Sequence, residues 1–198
     1  MSPEQDRPAS MSAEVHILFN GYLGDHTAST VAFVRDGAAR VIIDPGMVPN
    51  RRAILGPLAA LNESGGSISD VIFSHHHPDH TLNAALFPNA HFHDHWAIYK
   101  GDLWEWRRAE GFLVSPAIRL IETPGHTPQD ITTLVGTSAG VVAFTHLWWS
   151  TDAPIEDPYA TDAVALHAGR ARVLRVAGLA QIVPGHGAPF APADTTQR

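Results

Sequence analysis

The run Ser74-His75-His76-His77-Pro78-Asp79-His80 packs four candidate metal ligands, His75, His77, Asp79 and His80, into one short segment. Side chains at i and i+2 of an extended strand end point the same way, so His75 and His77 can grip one cation; after the turn at Pro78, Asp79 and His80 face a second. A purification-type histidine tract would sit at a terminus and would not be punctuated by Pro-Asp. Zinc takes four ligands from nitrogen, oxygen or sulfur, and a catalytic site keeps one position for water, so further ligands must come from elsewhere. Two other histidines are presented in tight turns, in Thr123-Pro124-Gly125-His126 and in Val183-Pro184-Gly185-His186. Each Pro-Gly pair follows an apolar run, which sets His126 and His186 at the lip of a sheet.

The elements that must position these residues read as a mixed α/β chain. Apolar runs at Val15–Phe19, Thr30–Val34 and Arg40–Ile43 are expected as strands, with Asp36-Gly37 as a hairpin turn. Ile54, Leu55, Leu58 and Leu61 recur at helical spacing between Pro49 and Asn62, and Gly65-Gly66 stops that helix. The strand Asp70–Phe73 delivers the ligand cluster, a helix begins at Asp79, and Ala90–His93 is a short strand whose His91 and His93, like His95, are expected as surface or internally satisfied residues. In the second half, strands are expected near Ile118–Glu122, Ile131–Val135, Gly140–Phe144 and Gln181–Val183, with a long helix from Pro158 to Ala177. The organisation expected is one domain over 13–192 between flexible tails at 1–12 and 193–198.

Composition narrows the function classes. The 198 residues suffice for one well-buried core, and no stretch approaches the ~20 consecutive apolar residues of a membrane span. Met1–Arg7 carries no apolar signal region, so a cytoplasmic location is expected. The chain has no cysteine, which directs metal binding to histidine and carboxylate. A net charge of −7 without a basic stripe disfavours nucleic acid as a partner and leaves a small-molecule substrate, while oligomeric state is left open. One local exception is Trp104-Glu105-Trp106-Arg107-Arg108. It reads either as an amphipathic helix with its tryptophans inward or as an aromatic and guanidinium patch able to clamp an anion.

Taken together, the His-x-His-x-Asp-His run, the two Gly-His turns and the strand Val41–Ile43 followed by Asp44-Pro45-Gly46 resemble the metallo-β-lactamase superfamily, in particular its small single-domain branch. The resemblance implies an αββα sandwich, two mixed β-sheets between outer helices, with metals at one edge of the sheets. It implies that His75, His77 and His126 hold a first metal, that Asp79, His80 and His186 hold a second, and that Asp44 braces the ligand loop from behind. Zinc, as one or two ions, is the cofactor expected, with iron or manganese as alternatives.

One position departs from that pattern. Where the family carries an acid bridging both metals, Thr145-His146-Leu147 follows the strand Gly140–Phe144. A neutral imidazole offers one coordinating lone pair, so His146 is expected as a terminal ligand, or as a leaving-group acid if it does not coordinate. Asp79 is expected to ligate and to orient the nucleophile. Tyr22, Trp148 and Trp149, with Trp104 and Arg107, are candidates for the substrate pocket, at most one of the adjacent tryptophans lining it. The chemistry implied is hydrolysis of an ester, lactone, thioester or amide by metal-activated water. Two other classes stay open: a mononuclear iron dioxygenase of the persulfide dioxygenase type using only the first three histidines, and a non-catalytic metal-binding member of the fold.

Overall fold

The computed structural model describes residues 4–197. The chain opens with β1 (Glu14–Phe19), a two-stranded ribbon β2 (Tyr22–Leu23) and β3 (Thr27–Ala28), then β4 (Val31–Asp36) and β5 (Ala39–Ile43). The turn between β4 and β5 uses Gly37 at φ +58°, the left-handed backbone its hairpin needs. Helix α1 (Arg52–Ala60) leads to β6 (Asp70–Ile72), the one-turn α2 (Pro78–Thr81), β7 (His91–His93), β8 (Ala97–Lys100) and β9 (Leu103–Trp106). The second half contains β10 (Leu113–Ser115), β11 (Ile118–Glu122), β12 (Ile131–Thr137), β13 (Gly140–Thr145), α3 (Ala163–Leu174) and β14 (Leu179–Pro184).

These strands form two mixed sheets, in the orders β1-β4-β5-β6-β7-β8-β9 and β10-β11-β12-β13-β14. Alternation along each strand sorts the apolar side chains into three layers. Ala32, Val34, Val41, Ile43 and Ile72 of the first sheet meet Ile118, Leu120, Ile131, Val135, Val142 and Phe144 of the second. The opposite face of the first sheet, through Val31, Phe33, Ile42 and Val71, packs on Ile54 and Leu58 of α1. The outer face of the second, through Ile121, Leu134, Val141 and Ala143, packs on Leu166 and Val173 of α3. Helix, sheet, sheet, helix is the αββα sandwich; each fully buried Phe, Ile or Leu in these layers contributes roughly 1.5–3 kcal/mol.

Several elements differ from the sequence-based expectations. Helix α3 starts at Ala163 and not at Pro158, because the Asp162 carboxylate caps it by accepting the Ala165 N–H at 2.9 Å. The helix expected from Asp79 is a single turn followed by a short 3-10 segment at Ala84–Leu86. Leu103–Trp106 is an edge strand, not an amphipathic helix, and Trp106 is 75% exposed. Within the segment expected as a flexible N-terminal tail, described residues contact the domain. Asp6 is buried in a bidentate pair with Arg172 of α3 at 2.7 and 2.8 Å, and Ser10 N–H donates to Pro116 O. At the other end, 192–197 form a 3-10 segment. Single long-range contacts of this kind leave no local pattern in the sequence.

Candidate metal centre

The C-terminal ends of β6, β11, β13 and β14 open on the same edge of the sandwich, and each releases ligand-type side chains there. After β6 the chain turns through His75 and His77 into α2, whose Asp79 and His80 point back to the same place. The β5 loop fixes that turn: the Asp44 carboxylate accepts the Ser74 N–H at 2.7 Å and meets His80 Nδ1 at 2.9 Å. Asp44 holds a left-handed backbone at φ +50°, which Asp tolerates better than most residues. Gly46 is required by contact, because a Cβ there would overlap the Asp79 carbonyl.

Three groups of donors follow, each with one atom per residue mutually within 4.8 Å: His75, His77 and His126; Asp79, His80 and His186; and His75, His80 and His146. His77 Nδ1 lies 3.0 Å from His75 Nε2 and 3.2 Å from His126 Nε2, so the first set presents two Nε2 and one Nδ1 to a common point. Asp79 Oδ2 is 3.4 Å from both His80 Nε2 and His186 Nε2. His146 stands between the sets, its Nε2 3.2 Å from His186 Nε2 and its ring centroid 4.5 Å from that of His75.

The far nitrogen of most of these rings is tied down, which selects the tautomer that leaves the inner nitrogen free. His75 Nδ1 pairs with Ser74 Oγ at 3.0 Å, His126 Nδ1 with Asp157 Oδ2 at 2.8 Å, His80 Nδ1 with Asp44, and His186 Nδ1 with the Ala28 carbonyl at 2.9 Å. Burial, reinforced by the surrounding histidines, holds His75 and His146 well below the usual imidazole range, and His77 and His186 are lowered for the same reasons. His80 goes the other way. Burial pushes it down, but the Asp44 and Asp79 carboxylates outweigh burial and raise it to about 9. Burial likewise raises Asp79, and the neighbouring His80 and His186 prevail, leaving it at about 2.

This donor set fits a transition-metal cation. His80 Nε2 and His146 Nδ1 are buried and make no hydrogen bond among the described residues, His75, His77, His146 and His186 are pushed toward the neutral, lone-pair-bearing form, and a cation would displace the proton that Asp44 and Asp79 favour on His80. A family model described as the metallo-beta-lactamase superfamily matches residues 24–187. The chain belongs to that superfamily. It is 30% identical over 195 residues to metallo-beta-lactamase domain-containing protein 1 of Xenopus laevis, a match covering 89% of this chain and 80% of that protein. Among solved structures, a Thermotoga maritima protein described as a candidate metallo-beta-lactamase superposes with TM-score 0.70 at 24% identity, covering 91% of this chain and 100% of its own. TTHA1623, solved in a di-iron-bound form, superposes with TM-score 0.65 at 22% identity over 90% and 97%.

As a metallo-β-lactamase-fold protein, the chain gathers all seven donors named from the sequence in three overlapping groups, with Asp44 behind His80. The pocket candidates divide. Trp149 reaches the centre indirectly, its Nε1 donating to Asp157 Oδ2 at 3.2 Å. Trp148 turns away to pack on Phe190 under the Arg170 guanidinium. Tyr22 sits on the β2–β3 ribbon, 39% exposed, next to the strand whose Ala28 carbonyl holds His186. Trp104 stacks on Tyr99, with ring centroids 5.1 Å apart, and meets Trp106 edge-on at 5.2 Å. Asp157, which braces His126, was not found from sequence: it lies in a Pro-rich loop far along the chain, and only folding brings it to its partner. His93 pairs through Nε2 with Asp70 at 2.7 Å, while its buried Nδ1 makes no hydrogen bond among the described residues.

Proposed function

We propose that this chain is a metal-dependent hydrolase that cleaves an ester, lactone, thioester or amide bond of a small molecule with water as nucleophile, at a centre of one or two ions. Zinc is the ion this reading favours, with iron or manganese able to use the same donors. The observation that carries it is the convergence of His75, His77 and His126 beside Asp79, His80 and His186, with the outer nitrogens of His75, His80, His126 and His186 already engaged. When bound, the metal supplies Lewis acidity that makes water nucleophilic near neutral pH and polarises the oxygen that gains charge.

The remaining roles belong to the protein. Asp79, ionised at neutral pH and only half-buried, has an oxygen between His80 and His186 and is placed to accept a hydrogen bond from water and orient its attack. His146 is held neutral by burial and by the surrounding histidines, so near pH 7 it offers a lone pair and not a proton. That favours the ligand role over the acid role. Replacing the bridging acid by His146 also leaves Asp79 as the one carboxylate within the donor groups, which favours a tight first ion at the three-histidine set and a weaker second. Among the described residues no helix is long and apolar enough to cross a membrane, and the net charge of −7 favours a small substrate over nucleic acid.

A second reading rests on one observation: His75, His77 and His126 form a complete three-imidazole group by themselves, sufficient for a mononuclear iron dioxygenase. Metal content by mass spectrometry, with turnover of nitrophenyl esters, lactones and thioesters by the metal-free and the zinc-, iron- or manganese-loaded protein, tests the proposal. Hydrolysis that requires metal and disappears in His77→Ala is expected. Failure of every loaded form on every substrate, or iron content with oxygen consumption, would overturn it.

A further inference from the structure

The edge of the sandwich that holds the His75–His80 turn carries a second cluster of chemistry. His95 and Trp96 follow β7, Trp106 ends β9 and Arg107 and Arg108 follow it, and Glu122 ends β11. Together they line an open cleft of about 430 Å³. The cleft adjoins the metal centre through His76, which sits between two ligand histidines. Its Nε2 is 3.2 Å from Asp94 Oδ2 and its ring 5.3 Å from that of Trp96.

Arg107 is the unusual group. One Nη1 N–H donates to the Asp94 carbonyl at 2.8 Å and the guanidinium lies 4.6 Å over the Phe112 ring, but Nε and Nη2 are buried and have no acceptor among the described residues. The acids within reach are committed elsewhere. Asp94 Oδ1 accepts the Trp96 and Ala97 N–H groups and Oδ2 meets His76, while Glu122 accepts from Arg108 at 2.9 Å and from the Glu110 N–H at 3.2 Å. Burial accordingly pushes the Arg107 guanidinium below its usual value, only partly offset by Asp94 and Glu122. His95 Nδ1, on the same cleft, is a third buried nitrogen without a partner. Charged donors left in this state are costly, so the arrangement makes sense when an acceptor is supplied.

The two vacant donors identify that acceptor. Nε and Nη2 are adjacent on one edge of the guanidinium plane, the fork that meets both oxygens of a carboxylate. Trp96 and Trp106, 42% and 75% exposed, offer flat apolar walls beside it. We infer that this cleft is a subsite for a carboxylate-bearing, flat apolar portion of the substrate, with Arg107 as the residue that selects for the carboxylate. The inference rests on the hydrolase reading for its link to turnover, but not for binding itself.

Benzoate is the probe, and the indole N–H signals of the zinc-loaded, 15N-labelled protein are the readout. Saturable shifts of the Trp96 and Trp106 signals are expected, with Trp149, which reports on the metal centre through Asp157, left in place. Arg107→Met should weaken benzoate binding about 10–100-fold, the scale of hydrogen bonds to a charged group. Trp106→Ala, at an exposed site that does not threaten folding, should weaken it several-fold. In kinetics, the preference in kcat/KM for mono-4-nitrophenyl succinate over 4-nitrophenyl butyrate should fall in Arg107→Met. Shifts confined to Trp149, no saturable shift, or equal affinity in Arg107→Met would overturn the inference. Arg107-dependent benzoate binding with no ester turnover would instead remove the hydrolase reading and leave the carboxylate site standing.

Discussion

Asp44→Asn isolates how much of the metal centre is built from behind. The left-handed backbone at Asp44 suits Asn as well, and an Asn oxygen can still accept the Ser74 N–H, so the loop should keep its path. What changes is the partner of His80 Nδ1. A carboxylate there accepts a proton and leaves Nε2 bare for a cation; an amide N–H there turns Nδ1 into the acceptor and moves the imidazole proton to Nε2, the nitrogen the ion needs. Loss of such a brace typically costs about 10–100-fold in metal affinity. The metal-free protein reports the same contact differently. His80 is raised from 6.5 to about 9, so its stabilisation is fully present below pH 6.5 and is lost as pH rises through 9. The size of that loss is on the order of 3 kcal/mol. The other shifted histidines are lowered, so their influence lies below pH 6.5 and does not enter this window. Chelator competition should therefore show a weakened ion at the Asp79, His80 and His186 set in Asp44→Asn. Urea unfolding of the metal-free forms should show wild-type stability declining between pH 6.5 and 9 and the variant nearly flat. Wild-type metal affinity together with an unchanged pH slope would refute the reasoning.

Asp157→Ala removes the acceptor of both His126 Nδ1 and Trp149 Nε1 and should loosen the three-histidine set by about 10–100-fold, read as a lost first loading step in native mass spectrometry. His146→Asp restores a carboxylate to the donor groups and should tighten the second ion in chelator competition; an unchanged or weaker second site would show that His146 is not a ligand. Gly46→Ala drives a Cβ into the Asp79 carbonyl and should cost about 1–3 kcal/mol of metal-free stability in urea unfolding while displacing Asp79 from the donor set.

The parts of the centre that are legible in the sequence are those fixed by local spacing. His75, His77, Asp79 and His80 lie within one turn of chain, and each Pro-Gly-His places its histidine by backbone geometry alone. The hairpin at Asp36-Gly37 and the alternating strands of the two sheets are local in the same sense. What escapes is long-range or mixed in period. Trp104 and Trp106 are two apart, a strand period, yet the charged residues around them imitate a helix face, and only the pairing of β9 with β8 decides between the two. Asp6 meets Arg172 and Asp157 meets His126 across distances in sequence over which no periodic signal survives. In both, an ordinary surface-type acid becomes structural because folding buries it.

The three carboxylates around the centre explain how a site crowded with imidazoles remains compatible with cations. Asp79 is the one carboxylate within the donor groups; Asp44 and Asp157 sit one hydrogen bond further out, behind His80 and His126, one on each set. Were two ions bound, negative charge that a bridging acid would place between them would thus be partly supplied from outside, through rings whose tautomers the same carboxylates fix. His146 differs from these two rings, because its buried Nδ1 has no partner among the described residues while its Nε2 faces His186. Its ring is held by packing against Gly185 and the surrounding histidines, and without a partner at Nδ1 it is polarised less than the rings backed by a carboxylate. As a ligand it is therefore expected to be the weakest of the imidazoles. Since it stands between the two sets, occupancy of the second position should depend on it more than occupancy of the first.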